Sequence, residues 1–329
     1  MTQLLTKVAV PADVPSSQQA RYEENFQTMT KGTGRLMLFA GDQKVEHLND
    51  DFYGTLGDGE VITADDADPE HLFRIARDGV IGCFAAQFGL IARYARDYST
   101  VPYLVKLNSK SHLIKTSQRD PQSLGWVTVD DALTLREAGL NVVGVGYTVY
   151  VGSEFESEQM REAAQACVQA HRDGMLAVLW IYPRGKAVPE EQHPHIIAGA
   201  TGLGATLGAD FCKVNYPKVK EGSPAEAFKE AVRAAGRTRV ITAGGSSTDV
   251  RKFLQTLHDQ IFVSKGAKQA TANAPCTGFK PSSANSVSTD TSQIDHEARH
   301  LQANHDRQVG RKAGVTAALP VGFTPTIRL

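Results

Sequence analysis

Residues 208–217 read GADFCKVNYP, a short apolar run between Gly208 and Pro217 with Lys213 in its middle. A run of this length bounded by turn residues predicts a buried strand. Ionising an amine costs most there, so the lysine either snorkels to water or is easily deprotonated. Similar runs occur along the chain: RLMLFAGD (35–42), IGCFAAQFG (81–89), PYLVKLN (102–108), NVVGVGYTVY (141–150), LAVLWIYPRG (176–185) and RVITAGG (239–245). Helical patterns lie between most of them. PEHLFRIARDG follows Asp68 as cap with Pro69 behind it, and TVDDALTLREAG starts at Thr128 with acids in its first turn. SEQMREAAQACVQAHRDG and PAEAFKEAVRAAG each end at glycine. Strands alternating with helices imply parallel pairing, because a parallel neighbour needs a long crossover. The strand spacing, roughly 20 to 45 residues, suits an α/β chain folded as a (β/α)8 TIM barrel. An open doubly wound sheet is the competing architecture, but it calls for a glycine-rich turn after the first strand, and GDQKVEH (41–47) is not one.

The barrel pattern weakens at its end. DQIFVSKGA (259–267) is the candidate eighth strand, and the residues beyond it are rich in Ser, Thr, Asn and His without a period. The expected organisation is an N-terminal extension over 1–30, a barrel over 31–264, and an atypical polar segment over 265–329. That last segment replaces or obscures the final βα unit.

Composition limits the partners. The chain has 329 residues, 41% of them hydrophobic and 22% charged, with a formal net charge of -1. This is an ordinary globular balance with no electrostatic case for nucleic acid or an acidic membrane. No run approaches the length of about 18 apolar residues that spans a bilayer, and the N-terminus shows no signal-peptide core. Cys83, Cys167, Cys212 and Cys276 have neither CxxC nor zinc spacing, which predicts buried free thiols in a cytoplasmic setting. No metal ligand cluster is evident, and His47 is expected to be a structural hydrogen-bonding residue.

Alternate residues of a barrel strand face the lumen, and chemistry gathers at the C-terminal ends. This parity groups Leu36, Leu38, Ala40 and Asp42; Leu104, Lys106 and Asn108; Val178, Trp180, Tyr182 and Arg184; and Ala209, Phe211, Lys213 and Asn215. So much polarity at one mouth exceeds what packing requires. A desolvated lysine beside other cations loses its proton more readily than the usual value of about 10.4, and the neutral amine attacks carbonyls to form a Schiff base. Tyr182, one strand over, is placed to move a proton, and Asp42 to stabilise the iminium. Each residue has a plainer role: a snorkelling lysine, core aromatics, a turn aspartate. Lys106 competes with Lys213, and spacing does not rank them. Gly244, Gly245 and Ser246 lead from the seventh strand towards a helix, where a phosphate is often held, although a simple turn fits equally. The long acidic loop after Asp42, which holds Glu46, is a candidate lid.

In order, GDQKVEH, LVKLN, VLWIYPRG, ADFCKVNYP and AGG resemble the archaeal-type class I fructose-bisphosphate aldolases over about residues 34–248. The resemblance implies a metal-independent barrel that needs no cofactor. It implies reversible cleavage of fructose 1,6-bisphosphate to dihydroxyacetone phosphate and glyceraldehyde 3-phosphate. Lys213 would form the Schiff base, Tyr182 would be proton donor and acceptor, and Asp42 the first-strand aspartate. Trp180, Arg184, Lys106 and the Gly244, Gly245, Ser246 loop would bind substrate, a phosphorylated sugar. A cytoplasmic homo-oligomer is the expected form. The family's GR-containing phosphate loop after the eighth strand has no match here, and the tail after about residue 264 looks unrelated to the family. Related transaldolase or thiolase chemistry, and a non-catalytic phosphosugar-binding barrel, are the alternative functions.

Overall fold

The computed structural model describes residues 7–46, 53–55, 61–63, 65–111, 119–243, 255–256, 258–264 and 325–328. Seven strands pair in parallel and in chain order: β1 (Met37–Ala40), β2 (Cys83–Gln87), β3 (Tyr103–Lys106), β4 (Val142–Val151), β5 (Leu176–Pro183), β6 (Phe211–Val214) and β7 (Arg239–Thr242). The sheet curls until β1 and β7 are separated by one strand's width. That gap holds β8 (Pro325–Arg328), antiparallel to both neighbours, with Ile327 opposite Met37 on one side and Thr242 on the other. The strand order rules out the doubly wound alternative.

The closing strand corrects one expectation. The described part of DQIFVSKGA, 259–264, is not a strand: Asp259–Val263 forms a single π-type helical turn, closed by Ser264 N–H donating to the Asp259 carbonyl at 3.1 Å. Its apolar triplet is too short to impose a period, and Phe262 stands 59% exposed. The turn is held by polar contacts instead. Thr242 donates to the Gln260 amide oxygen at 2.9 Å, and Ser264 Oγ donates to the Ala225 carbonyl at 2.9 Å.

The described helices of seven residues or more are α1 (Gln19–Thr30), α2 (Pro69–Asp78), α3 (Phe88–Tyr94), α4 (Val129–Glu137), α5 (Glu156–Arg172), α6 (Pro194–Thr206) and α7 (Pro224–Ala234), and Tyr53–Thr55 pairs with Val61–Thr63 in a small hairpin. The caps are those expected from the residues. Asp68 accepts from the Glu70 N–H, and Thr128 and Asp131 form a reciprocal capping box. Among the described residues, no helix is long and apolar enough to cross a membrane.

Apolar side chains bury in two layers. One lies between the sheet and its outer helices; the other fills the lumen with Leu38, Cys83, Ala85, Leu104, Val178, Phe211 and Ile241. Helix α1 plugs the lumen's N-terminal end, where Phe26 stacks on Phe211 at 6.0 Å between ring centroids. A polar clamp centred on Asp210 secures this plug. Its carboxylate accepts from the Tyr22 hydroxyl and, at 2.8 Å, from the Ala177 N–H. His171 lies between Asp210 at 3.2 Å and Asp13 at 2.8 Å.

Burial pulls the His171 pKa down, but hydrogen bonding and charge from Asp210 and Asp13 outweigh it and raise the value to about 9. A pKa above the unfolded value of about 6.5 stabilises the fold through the charged form. The contribution, roughly 3 kcal/mol, is complete below pH 6.5 and disappears as pH rises through 9. Thermal unfolding should therefore show wild type losing its advantage over His171→Gln between pH 6.5 and 9. A gap that stays constant across that window would contradict the clamp.

Candidate active site

Above the apolar filling, the C-terminal strand ends carry polar side chains around one mouth. In sheet register, Gln87 lies beside Lys106, Thr148 beside Trp180, Tyr150 beside Tyr182, and Trp180 beside Lys213. The two lysines that spacing left unranked have different surroundings. Lys106 is fully tied: Nζ donates to Thr148 Oγ1 at 2.7 Å, lies 3.6 Å from Asp42 Oδ2, and sits 3.9 Å from the centre of the Trp180 ring. Lys213 is 4% exposed, lies over the same indole at 5.3 Å, and forms no ion pair among the described residues. Its pKa falls from 10.5 to about 8, chiefly through burial; the Lys106 charge lowers it further, while Asp42 and Glu46 partly oppose the shift.

Tyr182 is the complementary group. Burial, then the negative charges of Glu46 and Asp42, push its phenol well above the usual value, so it holds its proton at neutral pH. The Tyr150 ring lies 6.5 Å away, and the Arg184 guanidinium sits 5.8 Å from the Tyr150 ring and 5.9 Å from that of Tyr182. Arg184 also bonds both carboxylate oxygens of Glu191 at 3.3 Å, which leaves it half-exposed at the rim.

Glu46 enters from the one-turn helix Gln43–Glu46, where its N–H donates to the Asp42 carbonyl. Ser109 Oγ donates to Glu46 Oε1 at 2.5 Å. Burial and the Asp42 charge raise the Glu46 pKa, against the pull of Lys106 and Ser109.

Asp42, Lys106, Trp180, Tyr182 and Lys213 therefore converge, with Arg184 at the edge. Gly244, Gly245, Ser246 and His47 lie outside the described residues. Asn108 holds backbone together instead. Its amide donates to the Ser123 and Thr148 carbonyls at 2.8 Å each and accepts from the Thr148 N–H at 2.7 Å. Thr148, Tyr150 and Gln87 were absent from the sequence-based set. Parity along NVVGVGYTVY and IGCFAAQFG, the one signal available, points to them.

The family assignment follows from comparison. A model of the DeoC/LacD family aldolases matches residues 36–280. The chain belongs to the DeoC/LacD aldolase family. It is an enzyme of the lyase class. Among its relatives, the "Fructose-bisphosphate aldolase/6-deoxy-5-ketofructose 1-phosphate synthase" of Methanocaldococcus jannaschii is 54% identical over 265 residues, 80% of this chain and 83% of that protein. The solved fructose-bisphosphate aldolase of Slackia heliotrinireducens is 52% identical with a TM-score of 0.74, covering 79% of this chain and 81% of its own. A structure described as a Schiff-base-forming fructose-1,6-bisphosphate aldolase is 30% identical with a TM-score of 0.60, covering 76% and 88%.

Gly146 is what lets Lys106 and Trp180 pack together. A Cβ there would lie 2.6 Å from Trp180 Cζ3 and 2.7 Å from Leu104 Cδ2. Gly146→Ala must displace the indole on which both lysines rest, at a cost of about 1–3 kcal/mol. We expect a lower unfolding temperature together with altered tryptophan fluorescence. Wild-type values for both would show that the lumen is looser than described.

Proposed function

We propose that this aldolase cleaves fructose 1,6-bisphosphate reversibly to dihydroxyacetone phosphate and glyceraldehyde 3-phosphate through an imine on Lys213. The observation that carries this is the buried amine of Lys213, with a pKa of about 8 and no ion pair among the described residues, one strand from a protonated phenol. Neutral Lys213 attacks the C2 carbonyl to give a carbinolamine. Tyr182 donates its proton to the departing hydroxyl, so water leaves and a protonated imine forms. The resulting phenolate takes the C4 hydroxyl proton as the C3–C4 bond breaks, and the bonding pair moves into the iminium to leave an enamine. Returning that proton to C3 restores the imine, and water releases the ketone. Asp42 faces the iminium charge while Lys106 holds the carboxylate in place. Trp180 lines the pocket, and Arg184 with the Gly244, Gly245 and Ser246 loop supplies phosphate contacts.

As part of the same reading, residues 31–264 form the catalytic unit of a (β/α)8-type barrel whose eighth unit is replaced by the C-terminal strand. Its setting is a cytoplasmic homo-oligomer. The double name of the M. jannaschii relative supports a second use of the same enamine, addition to a different carbonyl acceptor.

Borohydride reduction in the presence of dihydroxyacetone phosphate should leave a covalent adduct on Lys213 by peptide mass spectrometry, with no adduct in Lys213→Met. Tyr182→Phe should be trapped more slowly than wild type, because dehydration of the carbinolamine loses its acid, and should lose turnover by about 100-fold or more. Full activity in Lys213→Met would end the proposal.

A further inference from the structure

Two buried N–H donors in the lumen have no hydrogen-bond partner among the described residues: Nε1 of Trp180 and the side-chain amide nitrogen of Gln87. Trp180 is already placed in the pocket. Gln87 is the unassigned one. It ends β2, and its strand-mates Cys83 and Ala85 belong to the lumen filling, so alternation turns Gln87 towards the same space. It also precedes α3, yet its side chain makes no cap to that helix. A buried donor without a partner is destabilising, and water or the protein normally satisfies it. A ligand oxygen that arrives with substrate resolves the anomaly.

We propose that Gln87 is a specificity-determining residue whose amide N–H donates to an uncharged oxygen on the aldehyde half of the substrate chain. This rests on the aldolase reading above. In the strand ring, β2 lies across from β6, the strand of Lys213. A substrate chain bound through C2 to Lys213 and extended across the mouth brings its aldehyde half to the opposite wall, where Gln87 and Lys106 are register neighbours. The Lys106 charge is already engaged by Asp42. The donor that remains on that wall, among the described residues, is therefore neutral, and it suits a hydroxyl or carbonyl oxygen rather than a phosphate. A site built to hydrogen-bond an oxygen discriminates against the analogue that lacks it.

The test compares glyceraldehyde 3-phosphate with its 2-deoxy counterpart as acceptors for dihydroxyacetone phosphate. Wild type should prefer the hydroxylated acceptor by about tenfold or more in kcat/KM. Gln87→Met should erase that preference by lowering only the hydroxylated figure. Borohydride trapping of dihydroxyacetone phosphate should remain at the wild-type rate, and the unfolding temperature should stay at or above wild type. Gln87→Glu, which keeps the shape but removes the donor when ionised, should lose the preference as well. Equal losses on both acceptors, slower adduct formation, or a lower unfolding temperature in Gln87→Met would overturn the role. If wild type itself forms no adduct, the aldolase reading has failed first, and the role of Gln87 falls with it.

Discussion

Two lysines lie against one indole at the mouth of the barrel, and the fold treats them in opposite ways. Lys106 receives a hydroxyl, a carboxylate and the indole ring at 3.9 Å; Lys213 forms no ion pair among the described residues and has the ring at 5.3 Å. A cation is tolerated in such a place when paired, and a neighbour without a counter-ion is pushed towards neutrality. The tied lysine thus helps make the other one reactive. Trp180 can serve both because Gly146 leaves room for its ring edge.

The other end of the strand that bears Lys213 is held by different chemistry. Asp210, in the same short stretch, binds Tyr22, His171 and the Ala177 N–H, and so fixes helix α1 across the lumen's base. With Phe26 and Phe211 stacked above that clamp, the barrel is sealed from below. The low polarity that lowers the pKa of Lys213 thus depends partly on a charged cluster at the far end of its strand.

Much of this was legible from strand alternation. Asp42, Lys106, Trp180, Tyr182 and Lys213 meet because strict period-two placement on parallel strands carries them to one rim. Thr148 and Tyr150 obey the same rule, but their strand looks wholly apolar and gives no reason to seek polar work in it. Gln87 is hidden among alanines and aromatics, and its interest comes from an unmet hydrogen bond, which only three dimensions reveal. Asn108 shares the lumen parity yet spends its amide on backbone groups. The ranking of the two lysines needed the partners of each, which lie on other strands. Asp259–Val263 looked like a strand because a three-residue apolar run carries no period; hydrogen bonds from Thr242 and to Ala225 decided its shape. The strand that closes the ring comes from the far C-terminus, a connection that local pattern does not encode.

The central claim is that position 213 carries an amine that loses its proton near neutral pH while its neighbour at 106 stays paired. Heteronuclear NMR titration of lysine side chains in the unliganded protein, assigned by Lys213→Met, measures this directly. A pKa near 8 for Lys213 is the predicted result. A titration near the ordinary value of about 10.4 would contradict the account, because the amine would then be no better a nucleophile than any lysine in water.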